Sequence, residues 1–156
     1  MNLKKLISLD ETQTEDCASS LSEKLKSDDV LGLIGEIGAG KTVFSRGLSK
    51  GLALPKEYSV TSPTFTLMNI YPCTIPIFHF DLYRLENIED FSSLGIDDYK
   101  YQGAIFLIEW ANKFGDQISR DLDIHIFHKS EDSREITIEA ISQRGIDILN
   151  EWEYDV

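Results

Sequence analysis

Eight consecutive residues carry the most specific chemistry in this 156-residue chain: Gly35-Glu36-Ile37-Gly38-Ala39-Gly40-Lys41-Thr42. They match G-x-x-x-x-G-K-[ST], a loop whose backbone N–H groups surround phosphates. In such a loop the lysine reaches the β- and γ-phosphates and the hydroxyl can bind Mg²⁺. The run Val30-Leu31-Gly32-Leu33-Ile34 before it fits a strand covered on both faces. After it, Val43, Phe44, Gly47, Leu48 and Gly51 fall at helical spacing, which places Lys41 and Thr42 in the first turn of a helix over 41–51. Free N–H groups and the helix dipole suit a phosphate there. Gly35 and Gly40 allow angles and a close approach that a Cβ would forbid. The alternative is an accidental glycine-rich turn, and the strand and helix flanks argue against it. A nucleoside triphosphate is the expected ligand.

Hydrolysing a triphosphate needs Mg²⁺, carboxylates to hold it or its waters, and a group to orient the attacking water. Glu109 follows the apolar run Ala104-Ile105-Phe106-Leu107-Ile108, where a purely structural acid would bear a desolvation cost, so a metal-site role is expected of it. Asp81 closes another strand within His79-Phe80-Asp81-Leu82-Tyr83-Arg84. A metal role, a cap on the following turn and a pairing with Arg84 all stay open for it. His79 would share the strand face of Asp81, but a lone histidine is more often a satisfied core residue. Ser62 and Thr64 flank Pro63 and could order around the γ-phosphate as a switch loop, or form an ordinary proline turn. Arg84 could stabilise transition-state charge or hold Asp81, and Trp110 reads as packing. Asn112-Lys113-Phe114-Gly115-Asp116 fails as a guanine-reading Asn-Lys-x-Asp motif, because Gly115 stands where the carboxylate is needed.

The elements that must position these groups follow from periodicity and punctuation. Thr14 to Lys26 reads as a first helix with Thr14 as its N-cap and Cys17, Ala18, Leu21 and Leu25 on the apolar face. Phe65 to Tyr71 and Ile75 to Asp81 read as a hairpin, and Ile88 to Leu94 as a short helix stopped by Gly95. Leu122 to Phe127 and Glu135 to Ala140 read as strands around a polar turn at 129–133, and Gly145 to Trp152 as a terminal helix.

Length and a 42% apolar composition suit a single domain over 1–156 with one core. No basic segment followed by an apolar one opens the chain and no apolar run approaches membrane-spanning length, so a cytoplasmic protein with no membrane partner is expected. Cys17 and Cys73 lack metal-ligand spacing and read as reduced structural thiols. With 15 basic and 27 acidic residues the net charge is −12, and the stretch from Gly145 to Val156 holds four acids and no base. Such a surface should repel nucleic acid unless a partner supplies the contacts. It could dock a basic protein patch or simply aid solubility.

Taken in order, these blocks resemble the TsaE family (formerly YjeE), bacterial ATPases needed for the threonylcarbamoyladenosine (t6A) modification of tRNA. The resemblance rests on the phosphate loop followed by Arg46-Gly47, on Val60-Thr61-Ser62-Pro63-Thr64-Phe65, and on His79-Phe80-Asp81-Leu82-Tyr83-Arg84-Leu85. It extends through Leu94-Gly95-Ile96, Asp98-Tyr99, Ile108-Glu109-Trp110 and Arg134. It implies ATP and Mg²⁺ as ligands, TsaB and TsaD as partners, and tRNA met only through those partners. Carried over by position, Gly38, Ala39, Gly40, Lys41, Thr42 and Val43 would surround the phosphates, with Lys41 among the catalytic groups. Thr42 and Glu109 would bind Mg²⁺, Asp81 would support the metal and water site, and Thr14 and Arg134 would lie near the nucleotide. Val43 departs from the second threonine that many members carry.

The expected fold is α/β, a P-loop NTPase-like three-layer sandwich with a mixed central sheet flanked by helices. The expected activity is ATP hydrolysis that is slow alone and depends on partners. Two rivals are a small-molecule kinase, which would want an arginine-rich lid not seen in the sequence, and an adaptor that binds ATP without turnover.

Overall fold

The apolar run Val30–Ile34 is the centre of the molecule. The computed structural model describes residues 2–100 and 102–154. Its strands are β1 (Leu3–Ser8), β2 (Val30–Ile34), β3 (Met68–Tyr71), β4 (Ile77–Asp81), β5 (Ile105–Glu109), β6 (Leu122–His128) and β7 (Arg134–Ala140). Its helices are α1 (Glu11–Ser22), α2 (Lys41–Gly51), α3 (Ile88–Ser92), α4 (Ile96–Tyr99) and α5 (Gln143–Glu151), with a kinked 3-10 helix over Ala111–Gln117. The strands form one sheet in the order β1-β7-β6-β2-β5-β4-β3. Strands β4, β5, β2 and β6 pair in parallel, while β3, β7 and β1 each join the sheet through an antiparallel pairing. The sheet is therefore mixed.

Alternation along the strands feeds two cores. On one face Leu31, Leu33, Ile105 and Leu107 pack with Cys17 and Leu21 of α1, Phe44 and Leu48 of α2, and Ile148 and Leu149 of α5. On the other, Phe78, Phe80, Phe106 and Ile108 pack with Phe91 of α3, Ile96 of α4 and Ala111. This is the expected three-layer α/β sandwich. Cys17 and Cys73 are free and buried.

Several element boundaries differ from the sequence expectation for identifiable reasons. Asp10, not Thr14, caps α1, accepting from the Gln13 N–H at 2.8 Å, so Thr14 lies a full turn inside the helix and is buried. The helix ends at Ser22 rather than Lys26. The segment 64–67 turns before β3 begins, with Leu67 in the left-handed region and Phe65 exposed. Strand β4 starts only after Pro76, at Ile77. Gly95, with φ 76°, stops α3 and opens the unexpected α4. Strand β1 was not expected, because Lys4 and Lys5 interrupt its apolar pattern. Lys4 nevertheless faces the core, its stem lying over the Trp152 ring with Nζ 4.7 Å from the centroid and donating to the Trp152 carbonyl. Helix α5 begins at Gln143, capped by Ser142. Asp155 and Val156, the end of the acidic stretch, lie outside the described residues.

Candidate functional site

Three adjacent parallel strands bring their carboxyl ends together. The phosphate loop leaves β2, Glu109 ends β5 beside Leu33 of β2, and Asp81 ends β4 directly opposite Glu109. The crevice outside such strand ends is the usual ligand position in open α/β sheets. Here it is a cavity of about 400 Å³. Gly38, Gly40, Lys41, Thr42, Val43, Ser62, Thr64, Asp81, Glu109, Thr14 and Arg134 all line it, and so gather at one place. Ala39 does not line the cavity; its carbonyl accepts from Arg134 Nε at 2.7 Å, which fastens the loop to β7.

The loop's shape follows from its glycines. A Cβ on Gly35 would come within 2.7 Å of the Ile126 carbonyl oxygen of β6, so the chain can leave β2 there only without a side chain. Gly40 has φ 112° and sits at the start of α2, where no side chain caps the helix. The free N–H groups of the first turn thus face the cavity without a protein acceptor from a cap. Lys41 is nearly buried, donates to the carbonyls of Gly35 and Glu36, and has its Nζ 5.0 Å from the Trp110 ring centroid. Trp110 has φ 60°, the left-handed region, and leans on Tyr83 with ring centroids 5.1 Å apart. A non-glycine residue held there stores strain, about 1–3 kcal/mol, of the kind that gathers at functional sites.

Both carboxylates are 2% exposed and both are held. Asp81 Oδ1 accepts from the Tyr83 N–H at 2.9 Å, the turn cap left open by the sequence, while Oδ2 accepts from Thr64 Oγ1 at 2.8 Å. Ser62 lies 2.8 Å from Thr64 and 3.5 Å from Asp81, so the hydroxyl loop is drawn against the end of β4. Arg84 does not pair with Asp81; its guanidinium lies 5.3 Å from the Phe65 ring centroid. His79 is fully buried and its Nε2 lies 2.8 Å from Glu109 Oε2. Thr14 is buried on the far wall, 2.7 Å from the Ser8 hydroxyl.

The donor set fits Mg²⁺. Thr42, Asp81 and Glu109 present hard oxygens in one cavity beside the loop. Among the described residues no cluster of three His, Cys, Asp or Glu side chains forms a cage. Mg²⁺ uses one or two carboxylates together with substrate phosphates rather than such a cage. The cavity lining also includes Glu11 and Asp132, so it holds four acidic residues against Lys41 and Arg134. A polyanion entering alone would meet net repulsion, which a divalent cation relieves.

Ile37 of the phosphate loop also lines the cavity, and Glu11, Tyr83, Trp110 and Asp132 line it without having been expected there. The first turn of α1 and the polar turn before β7 converge on the cavity only through sheet order, for which the sequence has no local signal. Among the described residues no helix is long and apolar enough to cross a membrane.

The model of the threonylcarbamoyl adenosine biosynthesis protein TsaE matches residues 8–136. A TsaE of Bacillus subtilis is 37% identical over 134 residues, covering 85% of this chain and 82% of the relative. A TsaE of Treponema pallidum is 35% identical, covering 73% of this chain and 84% of the relative. The crystal structure of Bacillus subtilis YdiB superposes with a TM-score of 0.78 at 31% identity, covering 96% of this chain and 93% of that one.

Proposed function

Since the chain belongs to the TsaE family, whose members take part in tRNA threonylcarbamoyladenosine biosynthesis, we propose that it binds Mg-ATP and hydrolyses it in that pathway, as one catalytic unit acting on a TsaB–TsaD complex in the cytoplasm. The observation that carries this reading is the shared cavity: an uncapped helix start that bears Thr42 behind a glycine loop, with Asp81 and Glu109 from the neighbouring strand ends in the same lining.

Each side chain has a part that its position supports. The N–H groups from Gly38 to Val43 bind the phosphate oxygens, and Lys41 neutralises charge between the β- and γ-phosphates. Thr42, Asp81 and Glu109 hold Mg²⁺ or its waters, and the ion supplies charge neutralisation along the phosphates. Asp81 also orients water at the end of β4, where Thr64 and the Tyr83 N–H fix its two oxygens. Ser62 and Thr64 act as the switch loop that senses the γ-phosphate. Arg134 keeps the loop in its binding shape through the Ala39 carbonyl, and Thr14 supports the wall near the nucleoside. Among the described residues Arg134 is the arginine that lines the cavity, so transition-state charge that the site leaves uncompensated awaits a partner's contribution, and turnover alone is slow. With a net charge of −12 the protein meets tRNA through its partners.

Phosphate release from Mg-ATP, measured alone and with a TsaB–TsaD pair, tests this reading with Lys41→Ala as the blank. Release that rises with the pair and vanishes in the variant supports it. ATP binding without release in either condition points to an adaptor, and transfer of the phosphate to a small acceptor points to a kinase.

A further inference from the structure

Glu109 is the start of a buried hydrogen-bonded chain that leaves the cavity. Its Oε2 meets His79 Nε2 at 2.8 Å, His79 Nδ1 meets the Tyr71 hydroxyl at 3.0 Å, and that hydroxyl donates to the Thr61 carbonyl at 2.9 Å. Asn69 Nδ2 donates to the same carbonyl at 3.1 Å. Thr61 directly precedes Ser62, so the chain ends in the hydroxyl loop. The other end of that loop is tied to Asp81 by Thr64 at 2.8 Å. Both carboxylates are thus connected to one loop, Asp81 directly and Glu109 through two side chains.

Stability alone gives no reason for this chain. The strand residues beside His79 on its face of the sheet include the apolar Ile77, Leu107 and Ile105 together with Asn69 and Asp81, and a buried polar pair is weak evidence for stability beside apolar packing of equal volume. The chain does fix direction. In the neutral ring, a proton on Nε2 facing Glu109 leaves Nδ1 to accept from Tyr71. The single hydroxyl proton of Tyr71 is then shared between His79 and the Thr61 carbonyl, whose need Asn69 also meets. If the loop moved away, that hydroxyl would have His79 Nδ1 alone as its acceptor. Burial keeps the phenol protonated by pushing its pKa above the usual 10.0.

We propose that Tyr71 and His79 are positioning residues that aim Glu109 into the cavity and couple its orientation to the 61–64 loop. The proposal rests on Glu109 serving as a metal carboxylate. Groups that orient a ligating carboxylate typically change metal affinity or activity by about 10–100-fold when removed.

The test uses a fluorescent ATP analogue titrated in EDTA and at graded Mg²⁺, together with steady-state phosphate release. Tyr71→Phe keeps the ring and removes only the hydroxyl. His79→Gln can place an amide N–H near the Nε2 position, whereas His79→Asn reaches only the Nδ1 position. Tyr71→Phe is expected to leave affinity in EDTA unchanged and to raise the Mg²⁺ needed for half-maximal tight binding about tenfold. It should lower kcat rather than raise KM, and His79→Gln should recover Mg²⁺ response that His79→Asn does not. Folded Tyr71→Phe with a wild-type Mg²⁺ profile and kcat, or His79→Asn matching His79→Gln, would overturn the coupling while leaving the ATPase reading intact. A wild-type protein whose nucleotide affinity ignores Mg²⁺ would overturn both.

Discussion

Asp81 and Glu109 are register partners at the ends of neighbouring parallel strands, β4 and β5, and both project from the α1–α2 face of the sheet. Two nearly buried carboxylates side by side repel one another, and the sheet tolerates them because each is separately bonded: Asp81 to Thr64 and the Tyr83 N–H, Glu109 to His79. The neighbouring strand β2 delivers the phosphate loop to the same edge, with Leu33 beside Glu109.

Replacing Thr64 with valine keeps its shape and removes the hydroxyl that Asp81 accepts. Asp81 keeps one bond to the Tyr83 N–H, so the stability loss should be about 1 kcal/mol, read from the urea midpoint. The functional effect should exceed the structural one, with about a tenfold fall in Mg-dependent phosphate release. An unchanged rate would separate the loop from the carboxylate site.

The close contact of α1 with α2 sets the sign of Gly47→Ala. Alanine favours a helix over glycine by about 1 kcal/mol. Here its Cβ would stand 2.4 Å from the Glu15 carbonyl oxygen and 2.8 Å from Ala18 Cβ, so the helices must part. Overpacking of this kind costs about 1–3 kcal/mol and wins, because backbone cannot turn aside. A lowered urea midpoint is expected.

Arg120 and Asp123 form a two-pronged pair with both side chains under 10% exposed, Nε to Oδ1 at 2.6 Å and Nη2 to Oδ2 at 2.8 Å. Arg120→Ala strands a buried carboxylate beside β2 and should cost about 3–5 kcal/mol by chemical denaturation. Replacing both residues by apolar ones should recover a large part of that loss.

Burial raises the Cys17 thiol from 9.0 to about 12 and the Cys73 thiol from 9.0 to about 11. A raised pKa means that the folded chain keeps a proton the unfolded chain releases. The associated stability is therefore complete below pH 9.0, the ordinary value, and is lost as pH climbs to about 12 for Cys17 and about 11 for Cys73. Each titrating thiol contributes a slope of up to about 1.4 kcal/mol per pH unit in its window. Urea midpoints measured from pH 8 to 11 should fall less steeply in Cys17→Ala than in wild type. Thiol reagents at pH 8 should leave both cysteines of the native protein unmodified.

The parts of the fold that sequence reveals are those where local pattern and tertiary role coincide. The run Ala104–Ile108 stops abruptly at a charge, so Glu109 could be placed at a strand end, and the glycine spacing of the loop fixed the start of α2. Strand β1 was hidden because Lys4 packs its stem on Trp152, a contact set by α5 at the other end of the chain. Thr14 looked like a cap because it precedes two acids; Asp10 does that work one turn earlier and leaves Thr14 facing the cavity. The link from Tyr71 to His79 depends on hairpin register, and Trp110, left-handed in backbone, meets Lys41 and Tyr83 only through the tertiary fold. Neither is written in residue spacing.

The Mg-ATP hydrolysis site proposed at the ends of β2, β5 and β4 is best probed by comparing wild type with Glu109→Ala in nucleotide affinity and in phosphate release at saturating Mg-ATP with a TsaB–TsaD pair. Release is expected to fall by about 100-fold or more while affinity for ATP in EDTA is retained, because the phosphate loop is untouched. Release at the wild-type rate from a folded Glu109→Ala protein would contradict the proposal.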